Sequence, residues 1–234
     1  LGEFGNAARS GDVVLKPAGD WGPAVIALLR HLESAGFTGA PRVVGDGYAA
    51  DGRLAVTYIE GSSPQPYAWP ASTVGEIGVL LRGLHNATRT FVPPPGARWK
   101  PWWMHDLAGD DPVIGHCDLG PWNIVGPPGT PAAFIDWEYA GPVDPLWELA
   151  EAVWLNAQLH DDDVAALNDL PDAATRSRMA RAIVDGYELP RADRDDFPDR
   201  LIAVAAHSAR AEAVVHRVTP ETTPGEYPLL WAIA

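Results

Sequence analysis

Three polar side chains sit close together in one short stretch, Val113-Ile114-Gly115-His116-Cys117-Asp118-Leu119-Gly120-Pro121-Trp122-Asn123-Ile124-Val125. Its core reads H-x-D-L-x-x-x-N between apolar flanks. Thirteen residues after Asn123 comes Phe134-Ile135-Asp136-Trp137-Glu138, an apolar run that delivers one more carboxylate. An Asp and an Asn five residues apart, followed by a second Asp, suit the transfer of a phosphoryl group. That reaction needs an acceptor hydroxyl aligned with the γ-phosphate and divalent ions to neutralise the phosphate oxygens. Asp118 can orient the hydroxyl and take its proton. Asn123 can return to the same cleft and offer an amide oxygen to magnesium. Asp136 can ligate the metal that bridges the phosphates, since magnesium prefers hard oxygen ligands and takes few of them from protein. His116 is assigned to the catalytic set as an organiser of the loop, hydrogen-bonded to backbone near the metal site.

The elements that must hold these residues are legible in outline. Asp12-Val13-Val14-Leu15-Lys16 is a short strand ended by Pro17. Pro23 opens an amphipathic helix with Val25, Leu28, Leu29 and Leu32 on one face and a stop at Gly36. Two further strands, Arg42–Gly45 and Leu54–Ile59, flank the turn signal Asp51-Gly52. Gly61-Ser62-Ser63-Pro64, with Pro66 and Pro70, marks a break. Thr73 and Glu76 have capping-box spacing ahead of a helix through Ile77, Leu80, Leu81 and Leu84. Residues 113–135 read as short strands around a loop, and helices are expected over Leu146–Leu159, Ala173–Tyr187 and Arg194–Val218. Strands first and helices later predict an α+β chain, with a β-rich lobe over 1–60 and a helical lobe over 61–234 that carries the loop and the metal strand.

Composition narrows the function classes. With 47% hydrophobic and 21% charged residues, the 234-residue chain reads as globular. No apolar run reaches the ~18 residues of a membrane span, and the start Leu1-Gly2-Glu3-Phe4-Gly5 lacks the basic and apolar regions of a secretory signal. Cys117 is the single cysteine, which excludes an internal disulfide and a thiolate zinc cluster and points to the cytoplasm. A net charge of −14 argues against nucleic-acid binding and would suit a cationic small molecule, though acidic surface for solubility is the commoner cause. The absence of G-x-x-x-x-G-K-[ST] excludes a P-loop enzyme.

The loop matches the protein-kinase template apart from Cys117, which stands where kinases carry Arg. The stretch from His116 to Ala150 resembles the aminoglycoside phosphotransferase and choline kinase-like superfamily. Its members have an H-x-D-x-x-x-x-N loop, an Ile-Asp-Trp or Ile-Asp-Phe strand, and a Gly-x-x-Asp-Pro-x-x-Asp-Leu-Ala segment. Here that last segment is Gly141–Ala150, with Glu148 in place of the usual Asp. The resemblance implies a bilobal protein kinase-like fold that binds ATP or GTP with Mg2+ between the lobes and phosphorylates a hydroxyl of a small molecule. It further implies that Lys16 contacts the α/β-phosphates, that the hinge Tyr58–Gly61, with Tyr58, Ile59 and Glu60, holds the base, and that Asp144 buttresses the metal strand.

The N-terminal lobe departs from that pattern. Only about eleven residues precede the Lys16 strand, which makes the lobe look abbreviated, and Gly5-Asn6 is the best remnant of the phosphate-covering loop. Lys16 reads equally as a surface lysine, and Glu33 is the one candidate in its helix for a carboxylate partner. Trp102, Trp103 and Trp122 read either as core or as walls of an acceptor pocket. His85 reads as a packed helix residue, His105-Asp106 as exposed loop, and Asp161–Asp163 as helix caps more than a metal site. Two rivals stay open: a degenerate kinase-fold protein that binds without turnover, and a metal-dependent hydrolase.

Overall fold

The structure, a computed structural model, describes residues 7–65, 67–219 and 222. Strands β1 (Ala8–Ser10), β2 (Val13–Lys16), β3 (Val43–Tyr48) and β4 (Leu54–Thr57) form one antiparallel sheet in the order β1-β2-β4-β3. The sheet thus holds a strand the sequence reading did not foresee. Residues 8–10 pair with 13–15 across a tight turn in which Gly11 has φ 61°. Among the described residues one strand, β1, therefore precedes the Lys16 strand and forms a hairpin with it, while Gly5 and Asn6 lie outside the described residues.

Helix α1 (Gly22–Ser34) starts with Pro23 in its first turn and buries Val25, Leu28, Leu29 and Leu32 against the sheet. Removing side chains of this size from water contributes about 2 kcal/mol each. Helix α2 (Gly75–Thr88) begins without the expected capping box. Thr73 Oγ1 instead donates to the carbonyls of Pro70 and Gly129, which spends that hydroxyl on a loop contact.

The short ladders β5 (Val113–Gly115) with β8 (Gly141–Val143), and β6 (Ile124–Val125) with β7 (Ala133–Phe134), carry the loop residues. Helix α3 (Pro145–Asn156) runs beneath them and is buried at every position from Glu148 to Asn156. A helix so enclosed is the axis of its lobe rather than a surface element. Helices α4 (Asp162–Leu167), α5 (Ala173–Gly186) and α6 (Phe197–Val215) surround it. Asp161 and Asp172 cap α4 and α5 through the amides of Val164 and Thr175. Among the described residues no helix is long and apolar enough to cross a membrane.

The two parts meet closely behind the sheet. Gly61 has φ 152°, and a Cβ there would lie 2.7 Å from the carbonyl oxygen of Gly126, so only glycine lets the strands bridge at Ser62–Gly126.

Candidate active site

Two backbone contacts bring the loop and the metal strand together. The amide of Ile135 donates to the carbonyl of Asn123 at 2.8 Å, and His116 Nε2–H donates to the carbonyl of Ile135 at 2.8 Å. His116 is fully buried, and burial pushes its imidazole below its ordinary pKa. A neutral ring tying one strand to the other is a positioning group. Two non-glycine residues of the site adopt left-handed backbone, Cys117 at φ 64° and Asp136 at φ 66°. Such residues persist only where their surroundings over-determine them.

For Cys117 those surroundings are visible. Glu148 Oε1 accepts from the amides of His116 at 2.6 Å and Cys117 at 2.7 Å. Its other oxygen accepts from His85 Nε2–H at 2.7 Å, and His85 Nδ1 meets the Tyr187 hydroxyl at 2.8 Å. Gly115 makes room for this carboxylate, because a Cβ at that position would collide with Glu148 Oε2. Burial raises the proton affinity of Glu148, but the His85 bond, the His85 charge and the Cys117 amide outweigh it and leave the pKa below its ordinary value. Burial drives the Cys117 thiol well above its ordinary range, so this cysteine packs rather than reacts.

Asp118 projects from the opposite side of the loop and is half-buried. Asn123 Nδ2 donates to its Oδ2 at 2.7 Å and to its carbonyl at 2.9 Å, and Trp122 Nε1 donates to its Oδ1 at 3.4 Å. Burial and then the negative charge of Asp136 push the Asp118 carboxyl up to about 7, against the opposing pull of these hydrogen bonds. A carboxylate poised there can exchange a proton at neutral pH.

Lys16 reaches out of β2 and pairs with Asp136 Oδ1. The carboxylate expected for it, Glu33, lies elsewhere: it faces Arg42 at 3.9 Å and is largely exposed, because it sits on the last turn of α1. Asp136 Oδ1 is sealed from solvent and, among the described residues, meets the Lys16 ammonium alone. Asn123 commits its Nδ2 to Asp118, which leaves its amide oxygen as the atom for a cation. One amide oxygen and one carboxylate fit a magnesium ion whose remaining ligands are phosphate and water. Among the described residues no group of three or more His, Cys, Asp or Glu gathers as a metal cluster.

In the segment expected to be the hinge, the Tyr58 amide donates to the Asp12 carbonyl at 2.7 Å, and Arg9 lies 3.5 Å over the Tyr58 ring. Ile59 and Glu60 hydrogen-bond to no other described residue. Asp144 caps α3 by accepting from the amides of Leu146 at 2.8 Å and Trp147 at 3.3 Å, so it supports the helix rather than the metal strand. His105 is not exposed loop: its Nε2–H donates to the Tyr139 carbonyl at 3.0 Å. Trp102 donates to the Cys117 carbonyl at 2.7 Å and stacks on Tyr139 at 4.1 Å, while Trp103 is half-buried against the core. Sequence reasoning missed Lys100, which pairs with Glu138 at 3.0 Å and lies 4.0 Å over the Tyr139 ring. It also missed Tyr187, and Glu151, which the sequence offers either as a binder of ammonium groups or as solvated helix surface, is instead buried and accepts from the Leu119 amide at 3.2 Å. No local motif marks these three, which reach the site only through the fold.

Comparison with known proteins agrees with this geometry. The sequence model of the phosphotransferase enzyme family matches residues 95–188. A trifolitoxin immunity protein of Rhizobium leguminosarum bv. trifolii is 46% identical over 226 residues, covering 97% of this chain and 86% of its own length. Among solved structures, the amicoumacin kinase hAmiN, in complex with AMP-PNP, Ca2+ and Ami, superposes with a TM-score of 0.67 at 13% identity, over 100% of this chain and 87% of that one. The macrolide 2'-phosphotransferase MphH of Brachybacterium faecium gives 0.55 at 16% identity, over 91% and 83%. The sheet, the buried axial helix and the loop that joins them are thus those of kinase-like folds, and the chain belongs to the phosphotransferase enzyme family.

Proposed function

We propose that the protein transfers the terminal phosphoryl group of ATP or GTP to a hydroxyl of a small antimicrobial compound. The observation that carries this reading is the proximity of two pairs, Asp118 with Asn123 and Asp136 with Lys16, joined through the Ile135–Asn123 backbone bond, with Asp118 raised to about 7. In this scheme the acceptor hydroxyl lies against Asp118. As its oxygen bonds to the γ-phosphorus, its proton passes to the Asp118 carboxylate, and the bond to the departing nucleoside diphosphate breaks. Asn123 and Asp136 hold Mg2+, which neutralises charge on the phosphate oxygens when bound. Lys16 turns from Asp136 to the α/β-phosphates, and the backbone of residues 58–61 takes the base.

The nature of the acceptor draws on the relative named for immunity and on the antibiotic kinases that share the fold. The net charge of −14 suits an acceptor bearing amino groups. A nucleotide donor and a single buried cysteine fit a cytoplasmic place of action.

The test is thermal shift with ATP and GTP, with and without Mg2+, followed by phosphoryl transfer to a panel of hydroxylated antimicrobials. Metal-dependent stabilisation, turnover on at least one acceptor, and a loss of about a hundredfold or more in Asp118→Ala are expected. Stabilisation without turnover on any acceptor would favour a protein that protects by binding alone.

A further inference from the structure

The buried axis of the lobe carries two polar side chains that no reactant touches. Glu151 is 3% exposed, and its Oε2 accepts from the Leu119 amide at 3.2 Å. Asn156 is fully buried; its Nδ2 donates to the Leu119 carbonyl at 2.7 Å and to the Ala152 carbonyl at 2.9 Å. The Asp118–Leu119 peptide is therefore held at its N–H by Glu151 and at its carbonyl by Asn123, and the next peptide is held by Asn156. Upstream, Glu148 holds the amides of His116 and Cys117. Backbone on both sides of Asp118 is thus fixed by one helix.

These side chains satisfy the buried N–H and carbonyl of Leu119, yet each carries a cost of its own. The Asn156 Oδ1 atom is buried without a partner among the described residues, which leaves a polar group desolvated and uncompensated. Burial, then the charge of Asp118, lift the Glu151 carboxyl well above its ordinary range. A group with a raised folded pKa contributes stability below the unfolded value of 4.5 and loses it as pH rises, so at pH 7 Glu151 opposes folding. Apolar side chains at both positions would remove those costs but leave the Leu119 N–H or carbonyl unpaired, each at a desolvation penalty.

We infer that Glu151 and Asn156 are positioning residues, which fix the Leu119 backbone so that Asp118 is presented to the acceptor in one orientation. The inference rests on Asp118 acting at the transfer centre, as proposed above.

The test compares Glu151→Gln, which keeps an acceptor for the Leu119 amide, with Glu151→Met and Asn156→Leu, which remove the polar contact. Three quantities are read: the thermal midpoint, amide exchange over residues 116–120, and Mg2+-dependent hydrolysis of ATP without acceptor. Both apolar variants are expected to melt within about 10 °C of the parent and to stay folded, yet to exchange these amides about fivefold faster or more. Their hydrolytic kcat is expected to fall about tenfold with the KM for ATP within about twofold. Glu151→Gln is expected to behave as the parent does. Parental exchange and turnover in the apolar variants would overturn the inference, and so would a Gln variant as impaired as the Met one. Should the parent hydrolyse no ATP without acceptor, exchange at 116–120 decides the positioning role, while the proposed reaction stands or falls on transfer to the acceptor panel.

Discussion

In the proposed reaction Asp118 is a base only when ionised, and burial beside Asp136 makes that form expensive. Burial and the neighbouring Asp136 charge raise the carboxyl from 3.8 to about 7, so the proton-accepting form dominates only above about pH 7. A divalent ion on Asp136 offsets the second of these causes and lowers the working value. The measurable consequence is a kcat/KM that falls as pH drops below about 7, with a slope of about one decade per unit, and a plateau on the alkaline side. A flat profile from pH 5 to 8 would remove Asp118 from the proton-transfer role. The type and spacing of Asp118, Asn123 and Asp136 are visible in the chain because a fixed reaction constrains them locally. The left-handed backbone at Cys117 and Asp136 is not visible, since neither residue type advertises a positive φ.

At the scale of elements, the catalytic loop owes its shape to α3. Asp144 and Pro145 start that helix and place Glu148 one turn later, beneath the amides of His116 and Cys117. Behind Glu148 stand His85 from α2 and Tyr187 from the end of α5, so three helices converge on one buried carboxylate. Its pKa lies below the ordinary 4.5, so Glu148 contributes stability that is complete above that value and lost as pH falls through its lower folded value. Glu148→Gln should therefore lower stability at pH 7 by about 3 kcal/mol and flatten the acid limb of denaturant-measured stability below pH 4.5. An unchanged acid limb would show that Glu148 is not the group whose protonation loosens the lobe.

This convergence explains what the sequence concealed. The strand of Lys16, the helices α1 to α3 and the loop between β5 and β6 follow from local periodicity and turn residues. His85 and Tyr187 lie 102 positions apart, and His85 and Glu148 lie 63 apart, so only the packed helices reveal that they touch. The capping box at Thr73 and Glu76 failed for a related reason: a distant carbonyl, that of Gly129, captured the hydroxyl.

Across the whole molecule, the sheet and the helical part are joined by more than the chain between them. Gly61 lies against Gly126, Ser63 Oγ donates to the Pro121 carbonyl at 2.6 Å, and Lys100 from the helical side lies 5.3 Å over the Trp21 ring at the start of α1. The contact between Lys16 and Asp136 is of another kind, because each part contributes one charge to it and the proposed reaction gives both charges a second use. The resting molecule is in effect occupied by itself. A free divalent ion must evict the Lys16 ammonium to reach Asp136, whereas a metal already riding on a triphosphate brings the anion that draws the ammonium away. Lys16→Met is therefore expected to bind free Mg2+ or Mn2+ about threefold more tightly or better, and the metal–nucleotide complex about tenfold more weakly, by titration calorimetry. Weaker binding of both would show the lysine to be a mere support. In the proposed reaction, the pair of charges would therefore set the order in which metal and nucleotide arrive.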